Sequence, residues 1–445
     1  GGTGADGATC GDGGCSSTCP TGFADCDGDK ANGCETNLVT DAVNCGACRS
    51  VCGTANTSAA PACVKSACVF TCAPGYLHCA TDSAAGCDTA EDGSNCETCG
   101  HACGGAACTA GVCDLIPIAT GQGAPMGISI DGSRIYWAEN TADKIRSAGL
   151  GDAVCDGTAC TLVADTTQAK LYSGGAGGSS NPRHHPAATV STGGVVFFTC
   201  NDTNSGALSV PSGGGTVVLS GSGPNISNSI VTDGARAFYT THDASDAVGI
   251  YVWDGNQIHA PGPGATASSN LPPASDAIVL DTGRLYWADT AQGIILVRNA
   301  ADFFDATFGT PVHCDMTQGG TPPVCAKVVA APSVQHVAIG GGYLYWSEAT
   351  SQTIHRYKLL DQTSGVVATS QSVTVLAADA SGVYWGRSDD DSFRSAKPTD
   401  TTCDGAFCNA IVAQGIGTGP SGLALDMQHV YISFSGSGLV AKRVK

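Results

Sequence analysis

Only 20 of the 445 residues are lysine or arginine, against 39 aspartates and glutamates, so the chain carries a formal net charge of −19. So few cations cannot build the basic patch that a phosphate backbone demands, which excludes nucleic acid as a partner. Aromatic residues are scarce (6%), and no apolar run approaches the roughly 20 residues that cross a bilayer as a helix, so no transmembrane helix is expected. No G-x-S-x-G, phosphate-binding loop, dinucleotide fingerprint or H-E-x-x-H occurs, which removes the enzyme classes that carry those motifs. No signal peptide is visible either. The start, Gly1-Gly2-Thr3-Gly4, reads as a mature end left after a signal peptide is removed, and it is compatible with a lipid anchor just upstream.

What the chain has in excess is cysteine (25) and glycine (61). Eighteen cysteines fall between Cys10 and Cys113 and seven are spread over the rest, so a domain boundary is expected near residue 113. The first 113 residues hold few large apolar side chains and cannot bury an ordinary core, so covalent bonds must brace them. Cys19, Cys26, Cys34, Cys45, Cys48, Cys52, Cys63 and Cys68 are separated by 6, 7, 10, 2, 3, 10 and 4 residues. Cys72, Cys79, Cys87, Cys96, Cys99, Cys103, Cys108 and Cys113 follow with 6, 7, 8, 2, 3, 4 and 4. Cys10 and Cys15 read as the tail of another unit, giving units over about 10–15 (partial), 19–68 and 72–113. "NCETCGHAC" comes within one residue of a c-type haem site, but Gly100 separates Cys99 from His101, and the first copy has Arg49 at the matching place, which excludes haem. An even, regular set in an acidic, Gly-rich segment points to disulfides rather than zinc thiolates, and so to an extracellular or outer-surface location. Eight cysteines allow 105 pairings, so spacing alone does not give the connectivity.

With "CPTGFADC", "NGCETN", "NCGACRSVC" and "CVKSAC", this segment resembles the Cys-rich repeats of secreted and surface proteins of the myxobacterial type. The resemblance covers about residues 10–113 and implies a bracing or adhesive role and no chemistry. Within it, Asp25, Asp27, Asp29, Asn32 and Glu35 place hard oxygen donors at close spacing and form a candidate calcium site. Lys30 stands where an EF-hand loop requires glycine, and the second unit keeps only Asp82 and Asp88 of the set. The alternative is a solvated acidic turn braced by Asx capping.

After residue 113 the texture changes to alternating apolar strands broken by Gly, Asp and Asn. "ISIDGSRIYWAEN", "ATVSTGGVVFFTC", "IVTDGARAFYTTH", "IVLDTGRLYWADT", "VAIGGGYLYWSEA", "LAADASGVYWGRS" and "LALDMQHVYISFS" are each a strand, a turn and a second strand. Their aromatic anchors, Tyr136, Phe197, Phe238, Tyr286, Tyr345, Tyr384 and Tyr431, recur every 39 to 61 residues, a period that fits propeller blades. Third strands follow all seven motifs, but fourth strands follow only six. The missing one is expected at 114–120, so the ring should close by pairing that strand with the C-terminal blade. Tyr136-Trp137, Tyr286-Trp287, Tyr345-Trp346 and Tyr384-Trp385, with Glu139, Asp289 and Glu348 behind them, resemble the YWTD-type propellers of lipoprotein-receptor ectodomains. That resemblance covers 114–445 and implies a binding scaffold, although three motifs lack Trp and the blade number is seven rather than six. Cys155 with Cys160, Cys403 with Cys408, Cys108 with Cys113 and Cys314 with Cys325 each precede an expected outer strand and are expected to bridge locally. Cys200, left over on a strand, reads as a buried, inert thiol.

Propeller ligands sit at the central mouth, beside residues that open each inner strand. Counting ten back from each anchor gives Met126, Ala187, Asn228, Asp276, Gln335, Thr374 and Ser421. Asn228, Asp276, Gln335 and His336, with His184 and His185 of "NPRHHPAA", are the candidates to hold a small polar ligand or a metal. As a set they are sparse for acid–base catalysis. The chain thus reads as all-β, a seven-bladed β-propeller over 114–445 preceded by a small disulfide-rich repeat domain over 1–113. The expected function is non-catalytic binding or adhesion outside the cell, with a protein or glycan partner at the propeller face and no cofactor beyond the candidate calcium. Two alternatives stay open: a homopolymer, filament or sheath built through the arm, and a metal-dependent lyase or hydrolase at the mouth.

Overall fold

A computed structural model describes residues 10–445 apart from 12–13, 16–18, 30–31, 82–84, 97, 110–111, 169–185, 201–207, 216, 220–225, 243–247, 254–257, 260–277, 290–292, 302–325, 406–407 and 413–416. It divides into two compact units, Gly1–Asp114 and Leu115–Arg443, and the described residues contain strands and two short 3-10 turns but no α-helix.

The first unit is built on sulfur. In both repeats the bridges join the first cysteine to the third, the second to the fifth, the fourth to the seventh and the sixth to the eighth. They are Cys19–Cys34, Cys26–Cys48, Cys45–Cys63 and Cys52–Cys68, then Cys72–Cys87, Cys79–Cys99, Cys96–Cys108 and Cys103–Cys113. Cys45, Cys52 and Cys63 form the buried cluster of one repeat, and Cys96, Cys103 and Cys113 that of the other. The expected Cys108–Cys113 bridge is therefore corrected. The two residues face each other in register across the hairpin of Cys108–Thr109 and Val112–Cys113, but each sulfur reaches the loop beneath and bonds Cys96 or Cys103 instead. Cys63 and Cys68 do the same in the first repeat, facing each other while bonding Cys45 and Cys52. The hairpin is clamped onto its neighbouring loop, and two chain-distant links replace one local link, which removes more unfolded-state entropy.

The paired "NC" loops close identically. Asn44 Oδ1 accepts the Arg49 N–H at 2.7 Å and Asn95 Oδ1 the Gly100 N–H at 3.0 Å, while the Cys45 and Cys96 N–H groups donate to Ser50 O and His101 O. Arg49 and Gly100 both sit in the left-handed region, at φ 64° and 77°. Glycine holds that conformation without steric cost and arginine does not. Gly100, the residue that spoils the haem motif, is thus suited to its backbone. Arg49→Gly is expected to stabilise the first unit by up to about 1 kcal/mol, read as a rise in its denaturation midpoint; a fall would contradict the strain.

Among the described residues the second unit is seven sheets, each built on four antiparallel strands, and two of them gain a short fifth strand that pairs parallel. Blade one runs outward through Pro125–Asp131, Arg134–Glu139, Lys144–Gly149 and Thr161–Asp165. The other inner strands are Pro186–Thr192, Ile226–Thr232, Ile278–Asp281, Val334–Gly340, Val373–Asp379 and Pro420–Leu425. Each touches the next, and the seventh touches the first, so the sheets form a closed ring. The Tyr-Trp pairs explain why. Successive residues of a strand point to opposite faces, so Tyr136 packs against blade two while Trp137 packs against blade seven. Tyr286 and Trp287, Tyr345 and Trp346, and Tyr384 and Trp385 repeat this, tyrosine to the following blade and tryptophan to the preceding one. Each such buried ring contributes on the order of 2–3 kcal/mol of transfer free energy.

Blade seven takes its outer strand, Ile116–Thr120, from the start of the unit, paired antiparallel to Leu439–Val444. A strap from blade one then covers that strand. Cys155–Asp156 pairs parallel to it, with Ala119 opposite Cys155, and the Cys155–Cys160 disulfide closes the strap. Thr120 Oγ1 donates to Asp156 Oδ1 at 2.8 Å, Gln122 Nε2 to Thr120 O at 2.6 Å, Trp137 Nε1 to Gln122 Oε1 at 3.2 Å and an Arg146 Nη to Cys160 O at 2.9 Å. The same atoms recur between blades six and five. Cys403–Asp404 covers Thr363–Thr369, Cys403 bonds Cys408, and Thr369, Gln371, Trp385 and Arg394 repeat the four contacts to Asp404, Thr369 O, Gln371 and Cys408 O. Cys314 and Cys325 lie outside the described residues.

Candidate functional site

The mouth positions share one structural cause. In blades one, two, three, five, six and seven the inner strand slips register near its start. Gln335, Thr374 and Ser421 are the extra residues in their blades, each skipped by the ladder. A bulge of this kind turns a side chain out of the sheet at a rim. The three then diverge. Gln335 is exposed and His336 beside it is half-buried, with its N–H donated to Ser347 Oγ. Ser421 is consumed by the fold, its hydroxyl donating to Pro125 O of blade one at 2.6 Å across the seam. The Thr374 hydroxyl is buried with no partner among the described residues. Asn228 lies on the strand Ile226–Thr232, but its side chain, like Asp276, His184 and His185, falls outside the described residues. Of the candidates, the structure therefore brings together Gln335 and His336.

The centre of the ring holds a cavity of about 360 Å³ lined from blades two to six by Val190, Val231, Val279, Val337, Ile339, Leu376 and their neighbours. Thr232 is the one polar side chain in that lining. Such walls favour apolar contact.

Two of the acids behind the Tyr-Trp pairs, Glu139 and Glu348, are occupied, and the Asp289 side chain lies outside the described residues. Glu139 is buried, accepting the Gly123 N–H at 2.9 Å and Arg146 Nε at 2.7 Å. Glu348 accepts Trp346 Nε1 at 3.1 Å and the Ser351 hydroxyl at 2.9 Å, while His355 stacks on Trp346 with 5.0 Å between ring centroids. Cys200 is buried in the core between blades one and two, beside Phe198 and Leu208. On the opposite face, burial raises the Asp379 carboxyl, but the Lys445 ammonium and the Ser381 hydroxyl outweigh it and hold the group below its usual range. Burial pushes Tyr345 up to about 12. Its hydroxyl has no partner among the described residues, because the turn that supplies Ser381 to Tyr384 and Asp426 to Tyr431 is here Gly340-Gly341-Gly342.

In the first unit the carboxylates of Asp25, Asp27 and Glu35 gather with oxygens within 4.8 Å of one another. Asn32 points its amide nitrogen, a donor, at Asp27 Oδ2 at 3.0 Å, and Asp27 Oδ1 accepts the Asp29 N–H. Asp25 accepts the Gly28 N–H, and Glu35 accepts the Cys26 N–H and the Thr36 hydroxyl. Asp88, the counterpart of Glu35, accepts the Cys79 and Ala80 N–H groups and the Thr89 hydroxyl. The backbone donors of Cys79 and Ala80 hold Asp88 down at about 2, and the Asp29 N–H and Asn32 amide lower Asp27. Position 35/88 is thus an acceptor that ties the second cysteine of each repeat to the third.

Sequence reasoning missed Gln122 and Gln371, the hubs of the two straps, together with Arg146 and Arg394. The signal was present: T-x-Q opens both blades, and Trp, Arg and the first strap cysteine follow one another at nine-residue steps, 137–146–155 and 385–394–403.

No family model matches the chain, and no curated protein matches it in sequence. Solved structures do. A streptogramin B lyase is similar at 12% identity, covering 74% of this chain and 96% of its own, with a TM-score of 0.50. A catalytically inactive virginiamycin B lyase from Staphylococcus aureus with quinupristin is similar at 11% identity, covering 75% and 98%, with a TM-score of 0.51. A nidogen/laminin complex is similar at 15% identity over 54% and 78%, with a TM-score of 0.37. The two lyase likenesses define the class of the second unit as a β-propeller; at such identities they extend to the fold alone.

Proposed function

We propose that this is a non-catalytic binding protein that works outside the cell, holding a protein partner on the mouth face of its propeller, with the disulfide-rich unit as tether or spacer. The observation that supports this reading is the rim itself. A rigid ring presents Gln335 and His336 outward, over a channel whose described lining is aliphatic and free of titratable groups. Surfaces of this composition suit contact and desolvation rather than proton transfer. The disulfides support the location. The test is cross-linking of the native protein to its surroundings, repeated with Gln335→Arg/His336→Glu and with Met427→Glu on the opposite face. Capture lost in the first variant and kept in the second supports the reading; equal capture by both sinks it. A protein with bound metal that turns over a small substrate, losing activity with His336→Ala, would favour the lyase alternative.

One observation favours self-assembly as a second reading. Val43, Val51, Val64 and Val69 of the first repeat are each about half exposed, where the second repeat carries Ser94, Ala102, Thr109 and Asp114 at the matching positions. Light scattering of the native protein, with Val64→Lys/Val69→Lys as the control, decides it: a concentration-independent monomer removes this reading.

A further inference from the structure

We propose that the Cys155–Cys160 disulfide is a reducible clasp on the seam of the propeller, opened by an external dithiol. The seam is where the ring depends on a strand from the far end of its own chain, and that strand's ladder is weak. Ile116–Thr120 pairs with Leu439–Val444 through Ile116 with Lys442, Pro117 with Ala441 and Ala119 with Val440, and its register slips between Pro117 and Ala119. Proline adds no N–H to a ladder. The parallel pairing of Ala119 with Cys155 and Thr120 with Asp156 supplies the strand's second edge, and it lasts only while the strap keeps its shape. The equivalent strap at blade five covers Thr363–Thr369, which pairs with Thr353–Lys358 at five positions, from Ile354 with Ala368 to Lys358 with Thr363, with one register slip of its own between Ile354 and His355. Two matching clasps therefore sit on a strand with three ladder pairs and on one with five.

The strap bridges span 5 residues, against 10 to 22 in the first unit, so each constrains the unfolded chain least and acts on the local shape of its strap. Asp156, Thr158 and Ala159 of the strap are exposed, Cys155 is half-buried and Cys160 is buried. A thiolate of the dithiol attacks Cys155 Sγ, forming a mixed disulfide and breaking the bond to Cys160, which leaves as thiolate and takes a proton. The Gln122 amide N–H, 3.4 Å from Cys160 Sγ, stabilises that leaving sulfur. The second thiol of the reductant then displaces Cys155, so two electrons pass from the dithiol to the clasp and the reductant ends as its own disulfide.

The experiment grades dithiothreitol against the intact protein, maps alkylated cysteines by mass spectrometry, and follows amide exchange of 116–120 and 363–369. Alkylation of Cys155 and Cys160 is expected to coincide with the change at 116–120. Exchange of 116–120 should rise about tenfold or more while 363–369 changes by less than about threefold. Cys155→Ala/Cys160→Ala without reductant should show the same faster exchange at 116–120, which separates loss of the clasp from other effects of the reductant. Alkylation of Cys155 and Cys160 with no change of exchange at 116–120, or unchanged exchange at 116–120 in the double variant, would overturn the proposal.

Discussion

Replacing Cys45 and Cys63 together by serine should unfold the first repeat at ambient temperature while the second unit stays folded. Removing a native bridge from a small secreted fold costs about 2–5 kcal/mol, and here there is little else to lose. Cys45, Cys52 and Cys63 are themselves the repeat's buried cluster, with only Ala42, Cys68 and Phe70 packed around them. Two serines would leave polar hydroxyls where sulfur packed and would free the hairpin from its loop. Limited proteolysis reads the result: cleavage between residues 44 and 69 should become rapid, while the propeller strands remain protected. A repeat that stays resistant without this bridge would mean that hydrogen bonds, such as those from Asn44 and Asp41, carry more of the fold than sulfur does.

Arg146→Met should cost about 3–5 kcal/mol, the largest single-residue effect expected in the propeller. Arg146 and Glu139 are both nearly fully buried, and their 2.7 Å contact is the only one that neutralises Glu139 among the contacts described. The substitution strands a carboxylate in low dielectric and also removes the donor to Cys160 O on the strap. Adding Glu139→Gln removes the charge and keeps an acceptor for the Gly123 N–H, so the double variant should recover a substantial part of the loss. Denaturant midpoints of the two singles and the double give the coupling directly. If Arg146→Met alone leaves the midpoint in place, the buried pair is not what secures this blade.

The blade plan was legible because each part of it leaves a local trace. Turn residues at fixed offsets, a Tyr-Trp pair and an even strand length survive in a single chain, and the shortage of one outer strand among seven motifs pointed at the closing segment. Disulfide partners left no such trace. Cys155 with Cys160, Cys63 with Cys68 and Cys108 with Cys113 all have the same C-x4-C spacing, yet the first pair bonds and the others do not. What differs is a competing cysteine beneath the hairpin, which only the fold supplies. The mouth was half legible. Counting back from the aromatic anchors found the bulged positions, but not that Ser421 would be spent on the neighbouring blade. Glu139 belongs to the strap because Arg146, on the adjacent strand opposite Trp137, faces it.

The order of bridges in the first unit has a mechanical consequence. Within each repeat the linked intervals overlap, so Cys26 lies inside the span of Cys19–Cys34 and Cys45 inside that of Cys26–Cys48. A pull applied at the two ends of a repeat is carried from bridge to bridge, and no hydrogen-bonded stretch can give way to lengthen it by more than a short run of backbone. Such a segment transmits load almost without stretching, which suits a part that must keep its reach under flow or traction.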